Sequence, residues 1–269
     1  MRESLSRRRF LTIGGMGAAS LFAARASWAF AAQQPSSAGV ADPALIDDLV
    51  AGNHILAREQ ILDAFGHISV RHPRSADRFL IARSLAPALV TTADIIEYDL
   101  DGNPIDARGR TSYRERFIHG EIYRARSDVN AIVHCHTASL LPFGVTRVPL
   151  RPVYHQSSFL ASGAPVFEIR DAGGMTDMLV GDAKLGRALA ATLAGKPVAL
   201  MRGHGAVIVG DSIPTVVGRS IYLDINAKAQ VQAMALGGKI TYIDPEEARK
   251  YAAPNNYDRA WELWKRQVK

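Results

Sequence analysis

A single cysteine, Cys135, in 269 residues has no intrachain partner, so the hydrophobic core alone must hold this fold in any compartment. No internal repeat is visible, which excludes solenoid and propeller architectures. The apolar run over residues 11–24 is short, rich in glycine and alanine, and followed by Arg25. It falls short of a membrane-spanning helix, and the mature protein is expected to carry no span. The net charge of +6 is inflated by basic residues in the first ten positions, and no Lys/Arg patch interleaved with aromatics occurs, which argues against a nucleic-acid partner. What is present, 48% hydrophobic and 22% charged residues, suffices for one full-sized core and one domain.

The chain begins with Ser6-Arg7-Arg8-Arg9-Phe10-Leu11, continues through the weakly apolar run, and reaches Ala29-Phe30-Ala31, a small-x-small cleavage signal. This stretch resembles a twin-arginine export signal, which implies removal of residues 1–31 and a periplasmic location reached by that route. Residues 32–42, rich in Ala, Gln, Pro, Ser and Gly, read as a flexible leader to a catalytic domain over 43–269.

Apolar residues at helical spacing from Leu45 to Leu62, with Asp42 to cap and Pro43 in the first turn, predict a helix over 43–64. Phe65-Gly66-His67-Ile68-Ser69-Val70-Arg71-His72 and Phe79-Leu80-Ile81-Ala82 predict a hairpin, and a third strand precedes the Asp101-Gly102-Asn103-Pro104 turn. Thr111 and Ser112 are expected to cap a helix running to about Ser127, with Glu115 and His119 one turn apart on one face. Short strands are expected over 148–155 and 165–170. A helix over 182–193 should stop at Gly195, and strands at 198–201 and 206–210 lead to a long helix that Ser212 caps. A strand over 240–243 and a closing helix around Trp261 and Trp264, read as packing residues, complete the chain.

The chemistry gathers at Ala131-Ile132-Val133-His134-Cys135-His136-Thr137. A β-branched run gives way to polar residues, and because strand side chains alternate faces, His134 and His136 point one way and Cys135 the other. Two imidazoles on one face of a strand end suit a metal ion if a third nitrogen and a carboxylate join them. Partly buried, hydrogen-bonded histidines are the alternative. Arg202-Gly203-His204-Gly205 offers the third nitrogen on a glycine-flanked turn that permits close approach, or else a plain exposed turn. Glu115 offers the carboxylate, or else a helix-start charge favoured by the macrodipole. His155, beside Tyr154 in a polar context, reads as a loop histidine in the wall of a site.

Gly66-His67-Ile68-Ser69, Glu115-Arg116-Phe117-Ile118-His119, the nineteen-residue step from Glu115 to His134, the His134-Cys135-His136 pair and Arg202-Gly203-His204-Gly205 together resemble the class II aldolase/adducin family, over roughly residues 43–240. The resemblance implies a single α/β domain, a central mixed β-sheet flanked by helices, assembled as a homotetramer. It implies His134, His136 and His204 as ligands of one divalent metal ion per subunit, zinc or manganese by family preference, with Glu115 as the catalytic acid/base. His67, Ser69, Tyr113, Arg114 and His155 are the candidate substrate-binding residues.

One departure bears on substrate. Sugar-phosphate aldolases of this family carry two serines before the glutamate, where this chain has Tyr113-Arg114, and Ser84-Leu85 stands where their Thr-Gly phosphate loop is expected. A phosphorylated sugar is therefore disfavoured, while Arg114 suits a carboxylate through planar, paired contacts. The wording around residues 116–123, Pro142-Phe143-Gly144-Val145 and 202–205 looks most like the family's decarboxylase branch, which acts on hydroxylated aromatic or pyridine carboxylates. The expected activity is a metal-dependent carbon–carbon lyase that decarboxylates a small hydroxylated aromatic or heteroaromatic carboxylate through a metal-stabilised enolate or phenolate, with Glu115 as proton donor. The alternatives are aldol cleavage of a non-phosphorylated hydroxy-keto substrate and a non-catalytic, adducin-like assembly module.

Overall fold

The computed structural model describes residues 36–252 and 257–268, so the export-signal stretch and residues 32–35 lie outside the described residues. Among the described residues seven strands, β1 (His67–Arg71), β2 (Arg78–Ala82), β3 (Ile95–Asp99), β4 (Ala131–Cys135), β5 (Val166–Phe167), β6 (Val198–Met201) and β7 (Gly205–Gly210), form one sheet. Their order is β3-β2-β1-β4-β7-β6-β5. Every pairing is antiparallel except β5 with β6, so the sheet is mixed, as expected. The helices are α1 (Pro43–Arg58), α2 (Arg116–Ala125), one-turn α3 (Leu141–Val145) and α4 (Ile169–Gly173), α5 (Ala183–Leu193), α6 (Ile213–Ala235), α7 (Pro245–Ala252) and α8 (Asp258–Gln267). Among the described residues no helix is long and apolar enough to cross a membrane.

Strand alternation sorts the core onto the two faces of the sheet. Ile68 and Val70 of β1, Ala131, Val133 and Cys135 of β4, and Ala206 and Ile208 of β7 pack with α1, α6 and the tryptophans of α8. Phe79, Ile81, Ile132, Val207 and Val209 face the other way, onto α2 and α5. His67 and His134 are paired across β1 and β4, so both rise from this second face.

Several ends follow the expected chemistry. The Asp42 carboxylate accepts from Ala44 N at 2.9 Å, a cap worth about 1 kcal/mol. Asp182 and Ser212 cap α5 and α6 in the same way. Several expectations are corrected. Helix α1 stops at Arg58 rather than 64 because Gln60 takes a left-handed conformation (φ 60°), which delivers Ile61 and Leu62 to the core from a turn. At the end of α5 the left-handed residue is Ala194 (φ 46°), not Gly195. Neither 148–155 nor 240–243 forms a strand. Buried amides of α6 take up the first segment's backbone: Asn226 accepts from Val153 N and donates to Arg151 O, while Gln230 accepts from Arg151 N and donates to Pro149 O. The 165–170 strand is cut to Val166–Phe167 because Glu168 caps α4, accepting from Arg170 N at 3.0 Å.

The described part of the leader, residues 36–42, has no regular structure yet is tied down. Ala38 N donates to Glu97 Oε1 at 2.8 Å, and His72 Nε2 donates to Gly39 O at 3.0 Å.

Candidate metal centre

The site is assembled where three chain segments meet at one end of the sheet. β4 ends by presenting His134 and His136. The turn between β6 and β7 presents His204, and it can rest on the end of β4 only because residue 205 lacks a side chain. A Cβ there would lie 1.9 Å from Cys135 O. The third segment is the start of α2. Thr111 and Ser112 do not cap this helix; Ser112 Oγ instead accepts from the Tyr98 hydroxyl at 2.6 Å. Glu115 occupies the cap position (φ −90°, ψ 19°) with its carboxylate directed elsewhere.

Glu115 Oε2 lies 3.3 Å from His134 Nε2 and 3.5 Å from His204 Nε2. His136 Nε2 lies 3.1 Å from His134 Nε2 and 3.2 Å from His204 Nε2. One ligand atom from each of the four residues falls within 4.8 Å of all the others.

The opposite nitrogens decide what this convergence means. His134 Nδ1 stands 3.1 Å from Ala206 O, and His204 Nδ1 stands 3.0 Å from Met178 O. A carbonyl oxygen only accepts, so both Nδ1 atoms carry the proton. In His136, Nδ1 faces Asp63 Oδ1 at 3.5 Å, which selects the same tautomer. In the uncharged rings all three Nε2 atoms then bear bare lone pairs aimed at one another, an arrangement that repels unless a cation takes them. Glu115 Oε1 accepts from Val180 N at 2.9 Å, which turns Oε2 into the same space. Three neutral imidazoles and one carboxylate fit a divalent metal ion with ligand positions to spare.

The electrostatics tie the four groups together. Burial opposes charge on Glu115, but His134 and His204 outweigh it and hold the carboxyl far below the usual carboxylate range. Burial likewise opposes charge on His204, yet the hydrogen bond and charge of Glu115 raise its pKa. Burial and the neighbouring His134 and His204 lower that of His136.

The surrounding residues fall into two groups. His67 and Tyr113 border the cluster: the His67 ring is 5.2 Å from that of His134 and 4.6 Å from that of Tyr113. The Tyr113 hydroxyl donates to Leu85 O at 2.5 Å, and burial pushes its pKa up to about 12, so the ring rather than the hydroxyl is available to a ligand. The other candidates stand differently from expectation. Ser69 is fully buried behind His119, its hydroxyl committed to His119 and Tyr123. Arg114 is exposed and ion-paired with Asp177 at 2.5 Å. The ring contacts of His155 are with Tyr154 and Tyr251, neither of them a cluster residue. His119 does not share a face with Glu115, which precedes the helix, but turns to the sheet. Sequence reasoning missed the strap of residues 177–180, whose backbone holds Glu115 through Val180 and His204 through Met178. No side-chain pattern marks a role carried by main-chain groups.

The profile of the Class II Aldolase and Adducin N-terminal domain matches residues 47–231. The chain belongs to that family. Decarboxylase tropJ of Talaromyces stipitatus is 37% identical over 244 residues, covering 81% of this chain and 92% of that protein. A 3,4-dihydroxyphthalate decarboxylase of Arthrobacter keyseri is 28% identical over 201 residues, 69% and 77% of the two chains. Among solved structures, an aldolase II superfamily protein from Pseudomonas syringae superposes with a TM-score of 0.70 at 22% identity over 84% of this chain and 92% of that one, a likeness of class II aldolase fold.

Proposed function

We propose that this class II aldolase-family protein is a divalent-metal-dependent lyase that removes carbon dioxide from a small hydroxylated aromatic or heteroaromatic carboxylate. The observation that carries the reading is the set of Nε2 lone pairs on His134, His136 and His204, fixed by their Nδ1 partners and completed by Glu115 Oε2. The decarboxylase relatives support the choice of reaction. His134, His136 and His204 would hold the ion, zinc or manganese, which when bound supplies a Lewis acid to the substrate's oxygen atoms.

Glu115 enters the cycle ionised, so its first task is that of a base. It takes the proton of the substrate hydroxyl. The bond between ring carbon and carboxylate then breaks, carbon dioxide leaves, and the electron pair stays on the organic fragment. Glu115 returns the proton to the ring carbon that lost its carboxyl group and is ionised again. Val180 N–H keeps the carboxylate in place through both transfers. His67, the ring of Tyr113 and, when released from Asp177, Arg114 bind the substrate; Ser69 supports them from behind.

The sequence reading of a homotetramer and of twin-arginine export to the periplasm completes the proposal, and sedimentation and N-terminal sequencing of the exported protein test it. For the chemistry, protein loaded with zinc or manganese and offered 3,4-dihydroxyphthalate and related hydroxy-aryl carboxylates is expected to release carbon dioxide. Aldehyde from 2-keto-3-hydroxy acids would instead establish an aldolase, and failure to bind metal would leave the assembly module.

A further inference from the structure

Behind the candidate centre runs a buried chain of hydrogen bonds whose order of donors and acceptors the mechanism above leaves open. His67 Nδ1 stands 2.7 Å from His119 Nε2, His119 Nδ1 stands 2.6 Å from Ser69 Oγ, and Ser69 Oγ stands 2.8 Å from the Tyr123 hydroxyl. No member is more than 2% exposed. His67 and Ser69 share one face of β1, and His119 and Tyr123 are one turn apart on α2, so the chain pins helix to strand.

With one proton on each ring, such a chain holds its protons in one of two orders. In the first, Tyr123 donates to Ser69, Ser69 to His119 Nδ1, and His119 Nε2–H to His67 Nδ1. His67 then carries its own proton on Nε2. In the second every donor is reversed, His67 Nε2 is bare, and the Tyr123 hydroxyl needs another acceptor. Among the described residues the one within reach is Asn130 O at 3.5 Å, beyond the roughly 2.5–3.0 Å range of an O–H···O bond. That carbonyl already accepts from Arg71 N at 2.7 Å. The first order gives every proton inside the chain an acceptor and leaves only His67 Nε2–H open to a ligand, whereas the second strands the Tyr123 hydroxyl.

We propose that Tyr123, Ser69 and His119 lock His67 in the tautomer with its proton on Nε2, and that this N–H binds an oxygen of the substrate's carboxylate or phenolate. The two nitrogens of an imidazole point away from each other, so with Nδ1 given to His119, Nε2 faces away from that residue, and the ring packs on His134 and Tyr113. The donor assignment stands on geometry alone; its use on a substrate oxygen rests on the lyase reading. It places recognition on a rigid residue inside the fold, whereas the exposed Arg114 is held by Asp177. His119, Ser69 and Tyr123 are positioning residues.

Nitrogen NMR of the zinc-loaded chain labelled with 15N-histidine tests this, with signals assigned through His67→Gln and His119→Gln. Both rings should show a protonated Nε2 and a bare Nδ1. The reverse pattern, or averaging between tautomers, overturns the lock. Addition of 2,3-dihydroxybenzoate as a probe should shift the His67 Nε2–H signal. If the probe moves the signals of His134, His136 and His204 but not that of His67, the recognition half fails. If it moves none of them, the carboxylate class fails. His119→Leu should weaken the probe roughly tenfold or more, the worth of a hydrogen bond to a charged group. His119→Gln, which can still accept from Ser69 and donate to His67, should restore most of that loss; equal loss in both variants overturns the relay. Failure of the lyase reading would appear separately, as no carbon dioxide from any hydroxy-aryl acid with the nitrogen pattern unchanged.

Discussion

Val180 donates its backbone N–H to Glu115 Oε1 at 2.9 Å, which leaves Glu115 Oε2 as the oxygen that meets His134 and His204. A carboxylate held by one oxygen and working with the other can pass a proton without changing its place. In Glu115→Gln the Val180 N–H will claim the amide oxygen and turn the NH2 toward the imidazoles. Turnover should fall about 10²–10⁴-fold, the usual worth of a positioned acid or base, while the three histidines retain the metal. Carbon dioxide release and elemental analysis of the same sample check both halves.

His136→Ala should lose metal and activity together and keep the fold. The two cores are built from apolar residues on both faces of the sheet, and His136 stands beyond the last residue of β4. Far-UV circular dichroism should match the parent protein, and metal content after gel filtration should fall well below stoichiometric. Unfolding on loss of the ion would make the site structural.

Arg114→Ala should separate recognition from scaffolding. The Arg114–Asp177 pair is exposed (side chains 61% and 50%), so its loss should leave the unfolding free energy little changed. Affinity for the carboxylate substrate should fall by roughly 1.5–3 kcal/mol if the guanidinium turns to it. Unchanged binding would remove Arg114 from the site.

Acid should destabilise this fold before its carboxylates are neutralised. Burial, and then the field of His134, lower the His119 pKa to about 3, while the unfolded chain titrates near 6.5. Between those values the unfolded state binds the extra proton, so stability falls as pH falls, by up to about 1.4 kcal/mol per pH unit for this one group. Above pH ~6.5 the contribution is flat. Urea midpoints for the parent and His119→Gln between pH 7.5 and 4.5 check it: the slope should be shallower in the variant.

The readable parts of the chain were those in which one side chain does the work. The His134/His136 pair follows from strand alternation, and Asp42, Asp182 and Ser212 announce their helices by cap chemistry. Elsewhere a distant partner, which no local signal announces, decides what a residue touches. Residues 148–155 have a strand's composition, but Asn226 and Gln230 occupy their backbone groups. Ser69 has the spacing of a site residue, yet its hydroxyl belongs to His119 and Tyr123. Arg114 adjoins Glu115 in sequence but is directed to Asp177.

The turn that carries His204 has a consequence for how this protein tolerates change. Gly205 lies against the Cys135 carbonyl, and Gly203 is left-handed (φ 62°), where a Cβ would come within 3.2 Å of the Met178 side chain. In a saturation library both positions should therefore be as intolerant as the histidine between them, though neither glycine offers a ligand atom. A ranking of residues by mutational damage would place them in the active site, and chemical rescue would tell them apart. Added imidazole has a cavity to enter in His204→Gly, and none in Gly205→Ala, where the damage is a displaced main chain.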